Sequence, residues 1–338
     1  IAVGMSTNIP THNLREVINA SMSYIKNNDI TIPQLMRSIK GPDFPMGGII
    51  TNKKDLKKIY ETGSGRIRIR AKIEQEDVEY GKTNLVITEI PQTFAGNKTK
   101  LLENIIEQVE DRKLDEISDV RDESSKDGIR IVLEVKRTVD IDNFLTKLYK
   151  TTKLEDSMTV NFLAIVDGKP RTLNLKELIS EYVSFLKQIN IRKYKHLLKK
   201  SNKKKEILEG LKKAYDLMDL IIDIIRGSRD LKTVRNCLMH GEIKGVKLGT
   251  KKAQQEASRL CFTKIQTDAI LDMRLQKLIG LEVEELNKEY KAVLQSIKKY
   301  EEIITDSETL SYVIMEELEA IKKQFNAKRK TKIIDIGK

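Results

Sequence analysis

Apolar residues recur at helical spacing near the start of the chain. Leu14, Val17, Ile18 and Met22 share one face, and Thr11 or Asn13 precedes them as a side-chain cap, so a helix is predicted to run to about Lys26. From Gly65 to Lys72 the pattern changes to strict alternation. Arg66, Arg68 and Arg70 interleave with Ile67, Ile69 and Ala71, which predicts a half-buried strand with a cationic outer face. Residues 84–90, 129–136 and 159–166 also read as strands, with helices over 99–113 and 140–151 between them. Strands and helices interleave in this way over roughly 1–172, giving a mixed α/β domain and an α+β class for the whole chain.

Beyond Asn174 the period becomes helical and stays so. Tyr194, Ser201, Leu208, Tyr215 and Ile222 recur every seven residues, with Leu197, Lys204, Leu211, Met218 and Ile225 as the companion row. This is a heptad seam, imperfect at Ser201 and Lys204. A returning seam joins Leu286, Val293 and Tyr300 with Tyr290, Ile297 and Ile304. The expectation is a long antiparallel coiled coil, 173–226 out and 282–338 back, carrying a small all-α domain over 227–281 at its tip. That tip is predicted to hold helices near 230–239, 251–260 and 263–278, and Asp306 and Ser307 are expected to cap a last helix to about Phe325. Proline use agrees: all six prolines fall at or before Pro170, and proline breaks helix interiors.

Composition narrows the class. Lys and Arg exceed Asp and Glu by 12, which favours a polyanionic partner. Charged residues make up 33% and aromatics 5%, which suits long solvated helices better than a large enzyme core. Cys237 and Cys261 have no metal or redox spacing, so a reducing cytoplasm is expected. No apolar run reaches the length of about 18 residues needed to span a membrane. The chain opens at Ile1 without a capped first element, as a piece of a longer protein would.

Several segments carry a resemblance. Residues 1–13, Ile-Ala-Val-Gly-Met-Ser-Thr-Asn-Ile-Pro-Thr-His-Asn, are one. Gly41-Pro-Asp-Phe-Pro45 with Gly47-Gly-Ile-Ile50 is the second. The third runs from Arg121 to Arg137, and the fourth from Ala269 to Glu282. In this order and spacing the chain resembles the breakage-reunion polypeptide of bacterial type IIA DNA topoisomerases, gyrase and topoisomerase IV, over essentially its whole length. Residues 273–282 look more like the gyrase form. The chain departs from the family pattern at Thr11, where a proline is usual, in the insertion within 92–96, and over 241–250.

The resemblance gives several residues an expected role. Ile9, read by itself, fits an ordinary core isoleucine ahead of a helix; the resemblance implies a wedge between DNA base pairs, held out by Pro10. Lys98 sits where the family has a DNA-contacting lysine, and a solvated surface lysine is the alternative. His12 is expected either to touch a phosphate or to cap locally. Arg66, Arg68 and Arg70 would track a phosphate backbone or form a solvated strand face. Arg192 to Lys205 contains eight Lys or Arg and no acid, read as a solvated helix face or as a guide for a transported duplex. Lys328–Lys332 reads as a solvated tail or a domain junction. Asp122, Glu123 and Asp127 are clustered, and a turn and strand-end role fits them better than a metal site. No glycine-rich phosphate loop and no Asp-x-Asp cluster are visible, and none of the ten tyrosines stands in the family's nucleophile context.

The resemblance therefore implies the tower, coiled-coil and exit-gate parts of an ATP-dependent topoisomerase in the bacterial cytoplasm. No cofactor or metal is expected in this chain; ATP and Mg2+ would be used through a partner B subunit. The other expected partners are double-stranded DNA and a second copy of the chain, in an A2B2 assembly. The dimer interface is expected at Leu271, Met273, Leu275, Leu278 and Leu281. The nucleophilic tyrosine would lie outside the chain, leaving it inactive alone. The competing reading is a non-enzymatic basic coiled-coil scaffold that binds nucleic acid and pairs in parallel along Tyr194–Ile225.

Overall fold

The computed structural model describes residues 4–78, 82–91, 93, 98–273 and 280–336. The chain divides into two compact units. One comprises residues 1–186 with 315–338, and the other residues 187–314.

The first unit is mixed α and β. Helix α1 (Leu14–Lys26) begins where Asn13 accepts a hydrogen bond from the Glu16 amide, and it buries Ile18 and Ala20. Short α2 (Ile32–Leu35) and α3 (Lys53–Thr62) flank β1 (Ile49–Ile50). Strand β2 (Ser64–Arg70) follows the predicted alternation: Ile67 and Ile69 are fully buried, while Arg66 and Arg68 are exposed. It pairs antiparallel with β7 (Glu155–Asn161), and β1 pairs with β2 on its other side. A second sheet has the order β3 (Lys72–Val78), β4 (Lys82–Glu89), β6 (Ile131–Val135), β5 (Ile117–Asp122). Its central strands are continuous apolar runs, Leu85–Ile87 and Ile131–Leu133, because helices α4 (Lys98–Glu110) and α5 (Ile141–Thr151) supply Leu101, Ile105, Phe144 and Leu148 to the same core.

Two expectations for this unit change. The segment 159–166 is not one strand. It breaks at buried Phe162, whose amide donates to Gly63 O while its carbonyl accepts from the Leu173 amide. Strand β8 (Leu163–Val166) then pairs only with β9 (Lys169–Thr172). Nor is 328–332 a solvated tail. Arg329 clasps the Glu16 carboxylate through Nε (2.7 Å) and Nη2 (2.6 Å) and donates to Gly41 O and Pro42 O. Strand β10 (Lys332–Ile333) then lies parallel to β1 and completes the first sheet.

The second unit is helical. It contains most of α6 (Leu175–Asp216), then α7 (Met218–Gly227), α8 (Leu231–His240), α9 (Lys251–Ala257), α10 (Lys264–Leu271), α11 (Gly280–Thr305) and the start of α12 (Ser307–Gln324). Helices α6 and α11 pair antiparallel. The Tyr194 and Tyr300 rings lie 5.6 Å apart, Lys204 bridges Glu289 at 2.6 Å, and Leu208 packs with Val293 and Ile297. Gly210 of α6 permits a close approach by α10, since a Cβ there would meet the Gln266 side chain. The predicted seam stops at Leu217, where the helix is interrupted, and Ile225 on α7 is exposed. On the returning helix Ile303, not Ile304, is the buried residue. The α6 seam is occupied by α11 of the same chain, so it is not free for the parallel pairing that the scaffold reading requires.

The tip core comprises Leu220, Ile221, Ile224, Val234, Cys237 and Leu238 among others. Gly241 ends α8 in the left-handed region at φ 68°, a conformation that a Cβ would strain. Both cysteines are free thiols, Cys237 buried and Cys261 exposed. No helix among the described residues is long and apolar enough to cross a membrane.

Candidate nucleic-acid interface

The segment before α1 is pinned at several points. The Asn8 amide donates to Asn161 O and the Asn161 amide to Asn8 O, both at 3.0 Å. Asn161 Nδ2 donates to Ser6 O (2.8 Å), and Asn8 Nδ2 donates to Thr159 O (2.5 Å). Pro10 is buried and restricts the next backbone torsion. Between these anchors Ile9 keeps 45% of its surface exposed. That exposure removes the core-isoleucine reading: the backbone is fixed while the apolar side chain meets solvent. Beneath it lies an apolar cavity of about 160 Å3 shared with Val17, Phe162, Leu178 and Tyr182.

His12 braces the same segment from inside. Its Nδ1 donates to Pro10 O at 2.8 Å, leaving Nε2 to accept from the Tyr60 hydroxyl at 2.7 Å. Both ring nitrogens are engaged within the protein. Burial holds the imidazole below its ordinary pKa, so it is neutral at neutral pH. Behind it Asn13 Nδ2 donates to the Asp43 carboxylate (3.0 Å). Burial would raise the pKa of Asp43, but amide donors from Thr331 and Lys330, Asn13 and the Arg329 charge hold it low.

The three arginines of β2 separate into two kinds. Across the ladder Arg66 faces Thr159 and Arg68 faces Ser157, while Arg70 faces Glu155. Arg70 Nε donates to Glu155 at 2.5 Å, and the guanidinium lies 4.1 Å from the Tyr149 ring centre. Arg70 is therefore engaged. Arg66 and Arg68 have no carboxylate in ion-pair range among the described residues. They present two charges on the outer face of a rigid ladder.

Lys98 opens α4 and bridges Asp122 at 2.6 Å. That hydrogen bond, with others from Ser124, lowers the Asp122 pKa to about 2. The ammonium that sequence suggested for a phosphate is paired with a carboxylate in this structure. Of the acidic cluster, Asp122 is thus held by Lys98 and Glu123 by Arg121 and Arg130, while Asp127 accepts from Ser125 Oγ in the turn closed by Ser125 and Gly128. No group of three potential metal ligands exists among the described residues.

In the second unit the candidate dimer residues lie around the α10–α11 corner. Leu271 is half-buried against the tip core. Met273 borders a cavity of about 280 Å3 with Leu211, Tyr215 and Leu286. Leu275 and Leu278 lie outside the described residues, and of Leu281 only the backbone is described. Along α6 the basic run borders a shallow cleft at Lys195, Lys199 and Lys203.

Sequence reasoning missed the partners that hold this site in place. Tyr60, Asn161 and Arg329 lie 48, 155 and 313 positions from His12, Ser6 and Glu16, the residues they hold. No local pattern announces such contacts.

The family of DNA gyrase and topoisomerase IV A subunits matches residues 1–319. The DNA gyrase A subunit of Clostridium acetobutylicum is 41% identical over 333 residues, covering 98% of this chain and 38% of that protein. Its counterpart from Staphylococcus epidermidis is 42% identical over 334 residues, covering 98% of this chain and 35% of that protein. That of Ureaplasma parvum is 40% identical, covering 99% of this chain and 37% of that protein. The chain thus spans little more than a third of the length of these relatives. With the matched span and these identities together, the chain belongs to the family of DNA gyrase and topoisomerase IV A subunits.

Proposed function

We propose that this chain grips and bends a duplex DNA segment within the breakage-reunion region of a type IIA topoisomerase. The observation that carries the reading is Ile9: an exposed apolar side chain on a backbone pinned by Asn8, Pro10 and Asn161. Inserting such a wedge unstacks a base step at a cost of about a few kcal/mol. A floppy loop would yield instead of unstacking the bases. Phosphate contacts along the bent arms offset the cost, and Arg66 and Arg68 are the described β2 cations free to make them. Arg70 and Lys98 hold the scaffold through Glu155 and Asp122, and His12 keeps Pro10 in position.

The helical unit provides the second half of the proposal. A second copy docks across the α10–α11 corner, forming a two-fold exit gate for a transported duplex. The strand-cleaving tyrosine is supplied outside this chain, and ATP and Mg2+ act through the B subunit of an A2B2 assembly in the bacterial cytoplasm. The test is a fluorescence-transfer measurement of duplex bending. Ile9→Ala is expected to reduce the bend while changing affinity by less than about tenfold, because phosphate contacts dominate binding. An unchanged bend angle would sink the wedge role.

A further inference from the structure

A groove of about 1320 Å3 opens on the first unit, lined by residues from α2, α3 and the β10 segment. Among the described residues, eight lining positions are Lys or Arg and one, Asp335, is an acid. The cations come from separate elements for separate local reasons. Helix α3 turns Leu56, Ile59 and Tyr60 into the core, which leaves Lys53, Lys54 and Lys57 facing out. Strand alternation buries Thr331 and exposes Lys330 and Lys332 on either side of it. Arg37 and Lys40 follow α2 and are exposed.

Internal neutralisation is incomplete. Arg329 belongs to Glu16, and Lys54 bridges Asp335 at 3.0 Å. Lys57 reaches Glu61 at 3.8 Å. Among the described residues Arg37, Lys40, Lys53, Lys330 and Lys332 have no carboxylate in ion-pair range. Crowding this much like charge around one concavity destabilises the fold through self-repulsion, unless an anion occupies it. Among the described residues, no Phe, Tyr or Trp lines the concavity to serve as a platform for unstacked bases.

We infer that this groove holds the sugar-phosphate backbone of duplex DNA, as a phosphate track additional to the Ile9 region. The inference rests on the proposed DNA-bending function and assigns that function a further contact surface. It identifies Arg37, Lys40, Lys53 and Lys332 as phosphate ligands. The contacts are to backbone only, so they add affinity and salt dependence without sequence preference.

The experiment compares the 338-residue chain with an Arg37→Ala/Lys40→Ala/Lys53→Ala/Lys332→Ala variant. Fluorescence anisotropy with a labelled duplex, across a salt series, gives the slope of log affinity against log salt. Each lost phosphate contact reduces the slope by about 0.9, so the quadruple variant should lose about 2 to 4 of slope. A Lys40→Arg/Lys53→Arg/Lys332→Arg variant, which keeps the charge, should retain it. Equal slopes for the wild-type and alanine proteins would overturn the groove assignment while leaving the Ile9 role standing. Failure of the wild-type chain to bind duplex at all would remove both. Displacement of duplex by polyglutamate at equal or lower charge concentration would show an acidic polypeptide site instead of a DNA track, again overturning the assignment.

Discussion

At the scale of single residues, the site depends on which side chains are already engaged within the fold. Sequence offers Arg66, Arg68, Arg70, Lys98 and His12 as candidate DNA contacts; the fold distinguishes them. Glu155 lies opposite Arg70 on the neighbouring strand, and Asp122 reaches Lys98 from β5. Neither partner is visible locally, because 85 and 24 positions separate the pairs. His12 carries a pH prediction. Its surroundings are the Tyr60 hydroxyl, the Arg329 charge and the carboxylates of Glu16 and Asp43, with burial dominant and its folded pKa lowered. An unfolded imidazole titrates at about 6.5. Below that pH the unfolded chain binds a proton that the native chain does not, so stability falls as pH drops and is recovered above the window. Thermal melting should show a steeper loss between about pH 7.5 and 5.5 for the wild type than for His12→Gln. Parallel pH curves for the two proteins would show that His12 carries none of the dependence.

Elements were legible wherever a cap and a period coincide. Helices α1, α5 and α8 have side-chain caps at Asn13, Asp140 and Asp230 ahead of spaced apolar residues, and their bounds match the pattern closely. Strand β3 was hidden because Glu74-Gln-Glu-Asp77 is polar throughout, as an edge strand of its sheet permits. The pairing of β1 with β10 was hidden because each is two residues long and they lie 283 positions apart. The heptad reading fits Tyr194 and Leu208 on α6, but Leu198 and not Leu197 packs with Leu208, and the reading fails after Leu217, because one interrupted turn resets the rotation of every later side chain. The α10–α11 corner carries a prediction about assembly. If it forms the gate, light scattering at micromolar concentration should give twice 38.8 kDa. A monomer would mean that this corner does not bind a second copy by itself.

For the whole molecule, the excess of 12 positive charges is unevenly used. Many of the 62 Lys and Arg are matched pairwise with acids, as at Arg329–Glu16 and Lys204–Glu289, and exposed pairs such as the latter add about 0–1 kcal/mol each to stability. Among the described residues, Arg66 and Arg68 on β2 and Arg37, Lys40, Lys53, Lys330 and Lys332 in the groove beside β10 have no carboxylate in ion-pair range. That distribution suits a chain that holds a long polyanion at several places and deforms it at one. The deformation is the central claim, and it rests on Ile9 entering the base stack. The most direct measurement places 2-aminopurine at successive positions of a duplex and records its fluorescence on binding. Wild-type protein should brighten the probe at one step through unstacking, and Ile9→Ala should bind without brightening it. Equal brightening by both proteins, or none at any step with the wild type bound, would contradict the wedge.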